Sequence, residues 1–233
     1  MTQFILDFPR RAAFGRADFM AADSNAAALG WIDRWPNWPS GVLVLHGPAG
    51  SGKTHLAHLW RERASAVIVS GETLHPAALP RILDESHYRI AIDDGDRAPE
   101  LALLHLYNAC LEGHGSVLIT ARLPPGSWRI ALGDLRSRLR AALAVAIGAP
   151  DDTLLGAVLI KHFADRQMRV APEMITFLIA HMDRSFGAAA EITARLDAMA
   201  LSSKRPITHA LARRVLAERG DQPLPPGSDS AVT

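Results

Sequence analysis

Gly47-Pro48-Ala49-Gly50-Ser51-Gly52-Lys53-Thr54 is the stretch that decides the fold of this chain. It satisfies G-x-x-x-x-G-K-[ST] at every fixed position. Before it stands Val42-Leu43-Val44-Leu45, a short apolar run that reads as a buried strand. After it comes His55-Leu56-Ala57-His58-Leu59-Trp60-Arg61, which reads as a helix. A strand, a glycine-rich turn and a helix in that order make a phosphate cradle. The glycines let the backbone curl until its N–H groups face phosphate oxygens. Lys53 brings positive charge to the outer phosphates, and the Thr54 hydroxyl can ligate Mg2+. The helix N-terminus adds partial positive charge at the same spot. Residues 47–54, with His55 next in line, are therefore expected to bind a nucleotide.

Downstream, Ile90-Ala91-Ile92-Asp93-Asp94 is an apolar strand that ends in two acids. Such a strand end delivers Asp93 to the Mg2+ shell, directly or through water. Asp94 is then placed to orient or polarise an attacking water. Further strands are expected over 66–70, 116–120 and 144–147, and helices over 25–34, 76–83, 100–112 and 134–143. The first of these helices has a candidate cap at Asp23/Ser24. Strands alternating with helices argue for an α/β fold, a parallel sheet of five strands covered on both faces. Beyond Pro150 the pattern turns purely helical, over 153–167, 172–182, 187–202 and 208–219, with Pro172 in a first turn. The expected organisation is an extended leader (1–11), an α/β nucleotide-binding domain (12–149), a small helical domain (150–220) and a disordered Pro/Gly/Ser-rich tail (221–233).

The bulk numbers narrow the function. A chain of 233 residues with 48% hydrophobic and 21% charged residues suits one large domain plus a small one. A formal net charge of +1 gives no global field to hold DNA or a membrane surface. No basic patch interleaved with aromatics stands out, so direct sequence-specific DNA binding is not expected. Cys110 is the only cysteine, so no intrachain disulfide can form, which fits a reducing cytoplasm. No apolar run reaches the length of a membrane span, and Met1-Thr2-Gln3 opens no signal-peptide pattern. Other residues read as structural. His55 and His58 lie one turn apart, but no Glu completes H-E-x-x-H. Cys110 falls on the apolar side of a helix. Trp31, Trp35 and Trp38 are expected to pack beside the nucleotide pocket or to form an interface.

A phosphate-binding α/β domain followed by a small helical one resembles the AAA+ ATPases, and the details are similar to their DnaA branch. The likeness rests on Ser24-Asn25 ahead of the first helix, on Gly52-Lys53-Thr54-His55-Leu56, on the double-aspartate strand end, and on Leu135-Arg136-Ser137-Arg138-Leu139. It runs from about Phe14 to Arg219. DnaA carries a further DNA-reading helix-turn-helix domain, for which this sequence has no counterpart, and that points to the Hda/HdaA regulators. The stretch Gly30-Trp31-Ile32-Asp33-Arg34-Trp35-Pro36-Asn37-Trp38-Pro39 looks like their alphaproteobacterial form. In the leader, Gln3-Phe4-Ile5-Leu6-Asp7-Phe8 fits Q-x-x-L-x-F, similar to peptides that plug into the sliding clamp (β subunit) of DNA polymerase III. There Leu6 and Phe8 would fill an apolar pocket while Gln3 supplies amide hydrogen bonds.

The resemblance implies ATP or ADP with Mg2+ as ligands, and DnaA and the clamp as partners. It also allows a homodimer. It implies an arginine finger at Arg138, acting in trans on ATP held by DnaA, with Arg136 and Arg140 close by. Two positions depart from the family pattern. The acid expected after the fourth strand is Ala121, with Thr120 beside it as a partial substitute. The arginine of the second sensor falls on Gly187 or Ala188, with Arg184 one turn earlier. Loss of both groups implies slow intrinsic hydrolysis and a resting ADP-bound form. The expected function is regulatory inactivation of DnaA. The alternatives are a helicase-loading or transposase-assisting ATPase of the same fold, and a non-hydrolysing clamp-binding scaffold.

Overall fold

The computed structural model describes residues 15–16, 19–203 and 207–218. Both the leader, with Gln3, Leu6 and Phe8, and the tail lie outside the described residues. The centre of the molecule is β1 (Val42–His46), the apolar run ahead of the phosphate loop. Its neighbours are β4 (Ser116–Ala121) and β5 (Leu143–Ala146). On the far side of β4 lie β3 (Arg89–Asp93) and then β2 (Val67–Ser70). The result is a five-stranded sheet in the order β2-β3-β4-β1-β5, with every pair parallel.

Unbroken apolar strands are what a sheet buried on both faces requires, because successive side chains point to opposite sides. Val42 and Val44 of β1, with Ile90, Ile92, Val117 and Ile119, enter one core. That core is closed by α3 (Leu79–Ser86), α4 (Glu100–Glu112) and α5 (Gly133–Ala141). Leu43 and Leu45, with Ala91, Leu118 and Val145, enter the other. There α1 (Ala26–Asp33) and α2 (Lys53–Ala64) cover them with Ala28, Ile32, Leu56 and Trp60. A separate bundle follows: α6 (Asp152–Asp165), α7 (Pro172–His181), α8 (Phe186–Ser203) and α9 (His209–Ala217), packed around Leu159, Phe163, Leu178, Ile192 and Val215. Asp151 caps α6 by accepting the Leu154 N–H at 2.7 Å.

Two expectations are corrected. The residue at the N-terminus of α1 is Asn25, not Asp23 or Ser24, and its side chain braces the preceding turn instead of capping the helix. Its Oδ1 accepts the Ala22 N–H at 2.9 Å and its Nδ2 donates to Met20 O at 3.0 Å. The tryptophans do not flank the phosphate loop. Trp38 stacks on Trp60 at 5.2 Å and Trp35 meets Trp60 edge-on at 6.3 Å. The Trp35 indole N–H donates to Oγ of Ser116, the first residue of β4, at 3.1 Å. This places the cluster at the entry end of the sheet, whereas the loop after β1 stands at the exit end. Trp38 and Trp60 are buried in the core on the α1/α2 face of the sheet, with Trp31 and Trp35 packed partly buried against them.

Cys110 lies fully buried on α4, as its apolar surroundings in sequence suggest, and burial pushes its thiol up to about 12. The thiolate is the reacting species, so Ellman's reagent at pH 8 is expected to leave the native chain unlabelled and to label it fully in urea. Labelling of the native protein within seconds would contradict that burial. The sign of the pH dependence follows. An unfolded thiol releases its proton near 9 while the folded one keeps it, so this group removes stability as pH rises from there towards about 12.

Candidate functional site

Parallel strands bring their C-terminal ends to one edge, and β4 separates β1 from β3. The loop after β1 and the acids ending β3 therefore face each other across the end of β4, the usual place for a ligand in an open α/β sheet. Gly50 and Gly52 take φ of +69° and +95°, a left-handed backbone that a side chain would strain. These two residues turn the chain from β1 into α2. Lys53 opens α2 and is only 7% exposed. Its Nζ donates to the carbonyls of Gly47 at 2.9 Å and Pro48 at 2.7 Å. Burial pushes the Lys53 ammonium down, while Asp94 and then Asp93 oppose the shift. Ser51 Oγ is buried beside the ammonium's loop with no hydrogen-bond partner.

Asp93 is the hub of the opposite wall. Thr54 Oγ1 donates to its carboxylate, 3.0 Å from Oδ2 and 3.2 Å from Oδ1. Thr120 Oγ1 donates to Oδ1 at 2.6 Å. The same Thr120 hydroxyl accepts the Asp94 N–H at 3.0 Å, and Asp94 sits in the left-handed region at φ +52°. The sequence-expected pair Thr54 and Asp93 thus meets, and Asp94, next in the chain, is near enough for its charge to act on Lys53. A hydroxyl and a carboxylate are hard oxygen donors of the kind Mg2+ prefers. Together with a buried ammonium, a helix N-terminus and an unpartnered serine hydroxyl, they fit a metal-bound polyphosphate.

Neither sensor position carries a polar side chain. Ala121 is fully buried and pairs with His46 in the sheet. Ala188 is buried in the first turn of α8, where its N–H donates to Ser185 Oγ at 3.0 Å. Arg184 forms an ion pair with Asp152 of α6, so its charge is engaged within the helical domain. Sequence reasoning missed the way that domain seats on the loop. The Phe186 N–H donates to Gly50 O at 2.9 Å. A Cβ on Gly50 would come within 2.6 Å of Ser185 Cβ, and one on Gly52 within 3.3 Å of the Phe186 ring. Phe19 closes the other side, edge-on to His55 at 5.2 Å. No motif flags Phe19 or Phe186; only the two glycines hinted that something approaches closely.

Arg138 belongs to a different surface. Leu135 and Leu139 anchor α5 in the core, which leaves Arg138 40% exposed and paired with Asp134 Oδ1 at 2.9 Å. Arg136 donates to Ile130 O at 3.2 Å, and Arg140 is exposed. None of Arg138's hydrogen bonds or ion pairs goes to the phosphate loop of its own chain. Among the described residues no helix is long and apolar enough to cross a membrane.

Comparison with known proteins agrees with this architecture. Residues 152–216 match the family model for the Hda lid domain. Over 217 residues the chain is 26% identical to the chromosomal replication initiator protein DnaA of Thermomicrobium roseum, covering 84% of this chain and 46% of that protein. The chain spans about half the length of the curated relatives it matches. Domain III of the Thermotoga maritima replication initiation protein DnaA aligns in three dimensions with a TM-score of 0.75 at 16% identity, covering 91% of this chain and 98% of that one. AMPPCP-bound DnaA from Aquifex aeolicus aligns with a TM-score of 0.66 at 14% identity, covering 87% of this chain and 68% of that one. A phosphate-loop motif on a β2-β3-β4-β1-β5 sheet, followed by a helical domain that matches the Hda lid model, gives this chain the fold of DnaA domain III and a sequence similar to DnaA along most of its length.

Proposed function

We propose that this protein binds ATP or ADP with Mg2+ and serves as a clamp-tethered inactivator of the replication initiator DnaA. Residues 47–55 hold the phosphates, Thr54 and Asp93 hold the metal, and Asp94 addresses the nucleophilic water. Gln3, Leu6 and Phe8 dock on the sliding clamp. Arg138 reaches ATP on DnaA and promotes its hydrolysis to ADP. The observation that carries the reading is an Hda-type lid seated directly on an AAA+ phosphate loop, with Phe186 bonded to Gly50. The apolar sensor positions, Ala121 and Ala188, favour a partner's nucleotide over this chain's own as the one that is consumed. The same two alanines also suit the scaffold alternative, in which no hydrolysis is stimulated at all.

One reconstituted assay separates these readings: loss of ATP from purified DnaA in the presence of DNA-loaded clamp. Leu6→Ala with Phe8→Ala is expected to lower the stimulated rate at least tenfold with loaded clamp, while nucleotide binding by the variant stays at the wild-type level. Full stimulation by that double variant would remove the clamp from the proposal. Stimulated hydrolysis by this chain's own site, independent of DnaA, would instead support the helicase-loader or transposase-helper alternative.

A further inference from the structure

The hydroxyl of Thr120 links the two acids of the site in a way that neither acid's own position explains. The side chain is fully buried at the penultimate position of β4, between the loop of β1 and the end of β3. Its single proton goes to Asp93 Oδ1 at 2.6 Å, and its oxygen accepts the Asp94 N–H at 3.0 Å. In the ligand-free chain its donor proton and one of its lone pairs are thus both used between the two acids.

We propose that Thr120 is a positioning residue, whose hydroxyl fixes the Asp93 carboxylate towards Thr54 and holds Asp94 in its left-handed conformation. Three further observations support it. Asp94 is a non-glycine residue at φ +52°, a conformation that persists only when the surroundings impose it. Its carbonyl is packed so closely against the turn after β2 that a Cβ on Gly71 would lie 2.3 Å from Asp94 O. Asp94 is thereby held at its N–H by Thr120, while its C=O accepts the Arg97 N–H at 3.0 Å and is hemmed in by the Gly71 turn. Finally, Asp93 Oδ1 accepts from Thr120 and lies 3.2 Å from Thr54 Oγ1, so rotation of the carboxylate breaks both hydroxyl contacts together. When Thr54 turns its lone pairs to a cation, the Thr120 bond remains to aim Asp93. Partners of ligating carboxylates commonly change metal affinity by about 10- to 100-fold when removed.

This inference rests on the nucleotide reading of the site, and the test separates the two. A fluorescent ADP analogue is titrated against the full chain with Mg2+ and with EDTA, and the ratio of the two affinities is taken. In Thr120→Val and Thr120→Ala the ratio is expected to fall about tenfold, while the affinity in EDTA stays within about twofold of wild type. Thr120→Ser keeps the hydroxyl and is expected to keep the ratio. An unchanged ratio in the valine and alanine variants overturns the proposal. So does a serine variant that falls as far as valine, since that would mean the methyl group's packing matters and the hydroxyl does not. If wild type binds no analogue, the nucleotide reading fails on its own. The positioning role is then read from residue-resolved amide exchange of the ligand-free chain. The Asp94 N–H is expected to exchange at least tenfold faster in Thr120→Ala than in wild type or Thr120→Ser. Equal exchange in all three overturns it.

Discussion

Arg138→Ala is expected to reduce DnaA-bound ATP hydrolysis stimulated by this protein by about a thousandfold, the lower end of what an arginine finger contributes to phosphoryl transfer. The guanidinium is permanently charged, planar and only loosely held by one carboxylate, Asp134, on its own helix. An exposed i,i+4 pair of this kind is worth a few tenths of a kcal/mol, so release of Arg138 to a neighbour's phosphate costs little. Leu135 and Leu139 fix α5 itself, which gives the arginine a rigid base to reach from. Arg138→Lys keeps the charge without the fork and is expected to recover only a small part of the rate. The measurement is single-turnover decay of labelled ATP on DnaA with loaded clamp. Full-rate decay with Arg138→Ala would eliminate the finger and leave the scaffold alternative. Arg136→Ala serves as the neighbour control, because Arg136 is engaged with Ile130 O instead of Asp134.

Lys53→Ala is expected to weaken ATP and ADP binding by this chain about a hundredfold. Charge-assisted hydrogen bonds contribute about 1.5–3 kcal/mol each, and every 1.4 kcal/mol is tenfold in affinity. The ammonium is buried at the mouth of the loop and already shared by two carbonyls, Gly47 O and Pro48 O. Removing it takes the ammonium donor from those carbonyls and removes the positive charge that the loop motif places at the outer phosphates. Calorimetric titration with ADP checks the magnitude, and circular dichroism confirms that the variant is folded. Affinity within twofold of wild type would exclude the loop as a nucleotide site. The variant also separates two roles in the DnaA assay. If this chain's own nucleotide only organises the surface that meets DnaA, Lys53→Ala loses stimulation through weakened association, whereas Arg138→Ala loses it with association intact.

Much of the architecture was legible from local patterns. Apolar runs of four to six residues bounded by polar turns marked all five strands, because side chains on a sheet covered on both faces are mostly buried; Ser116 and Thr120 of β4 are buried polar exceptions, each hydrogen-bonded. The phosphate loop was legible because its chemistry is consecutive in sequence: glycines, lysine and threonine act within one turn of backbone. The double aspartate was legible for the same reason. The errors lie where contacts cross the chain. Trp31, Trp35 and Trp38 gave no indication of which end of the sheet they occupy, since that depends on long-range partners such as Ser116 for Trp35 and Trp60 for Trp38. Thr120 read as a stand-in for a missing acid, and its bonds to Asp93 and Asp94 became visible only once β4 was placed between β1 and β3.

Sequence alone determined that this chain folds as an α/β domain carrying a phosphate-loop motif, with a helical companion, because hydrophobic periodicity and the loop motif are local properties. Tertiary structure decided how the site is held: that Thr120 bridges Asp93 and Asp94, that Phe186 of the lid bonds the loop at Gly50, and that Arg184 is tied to Asp152. Each of these joins residues dozens of positions apart. No local rule fixes such pairings; the strand order and the seating of the second domain do.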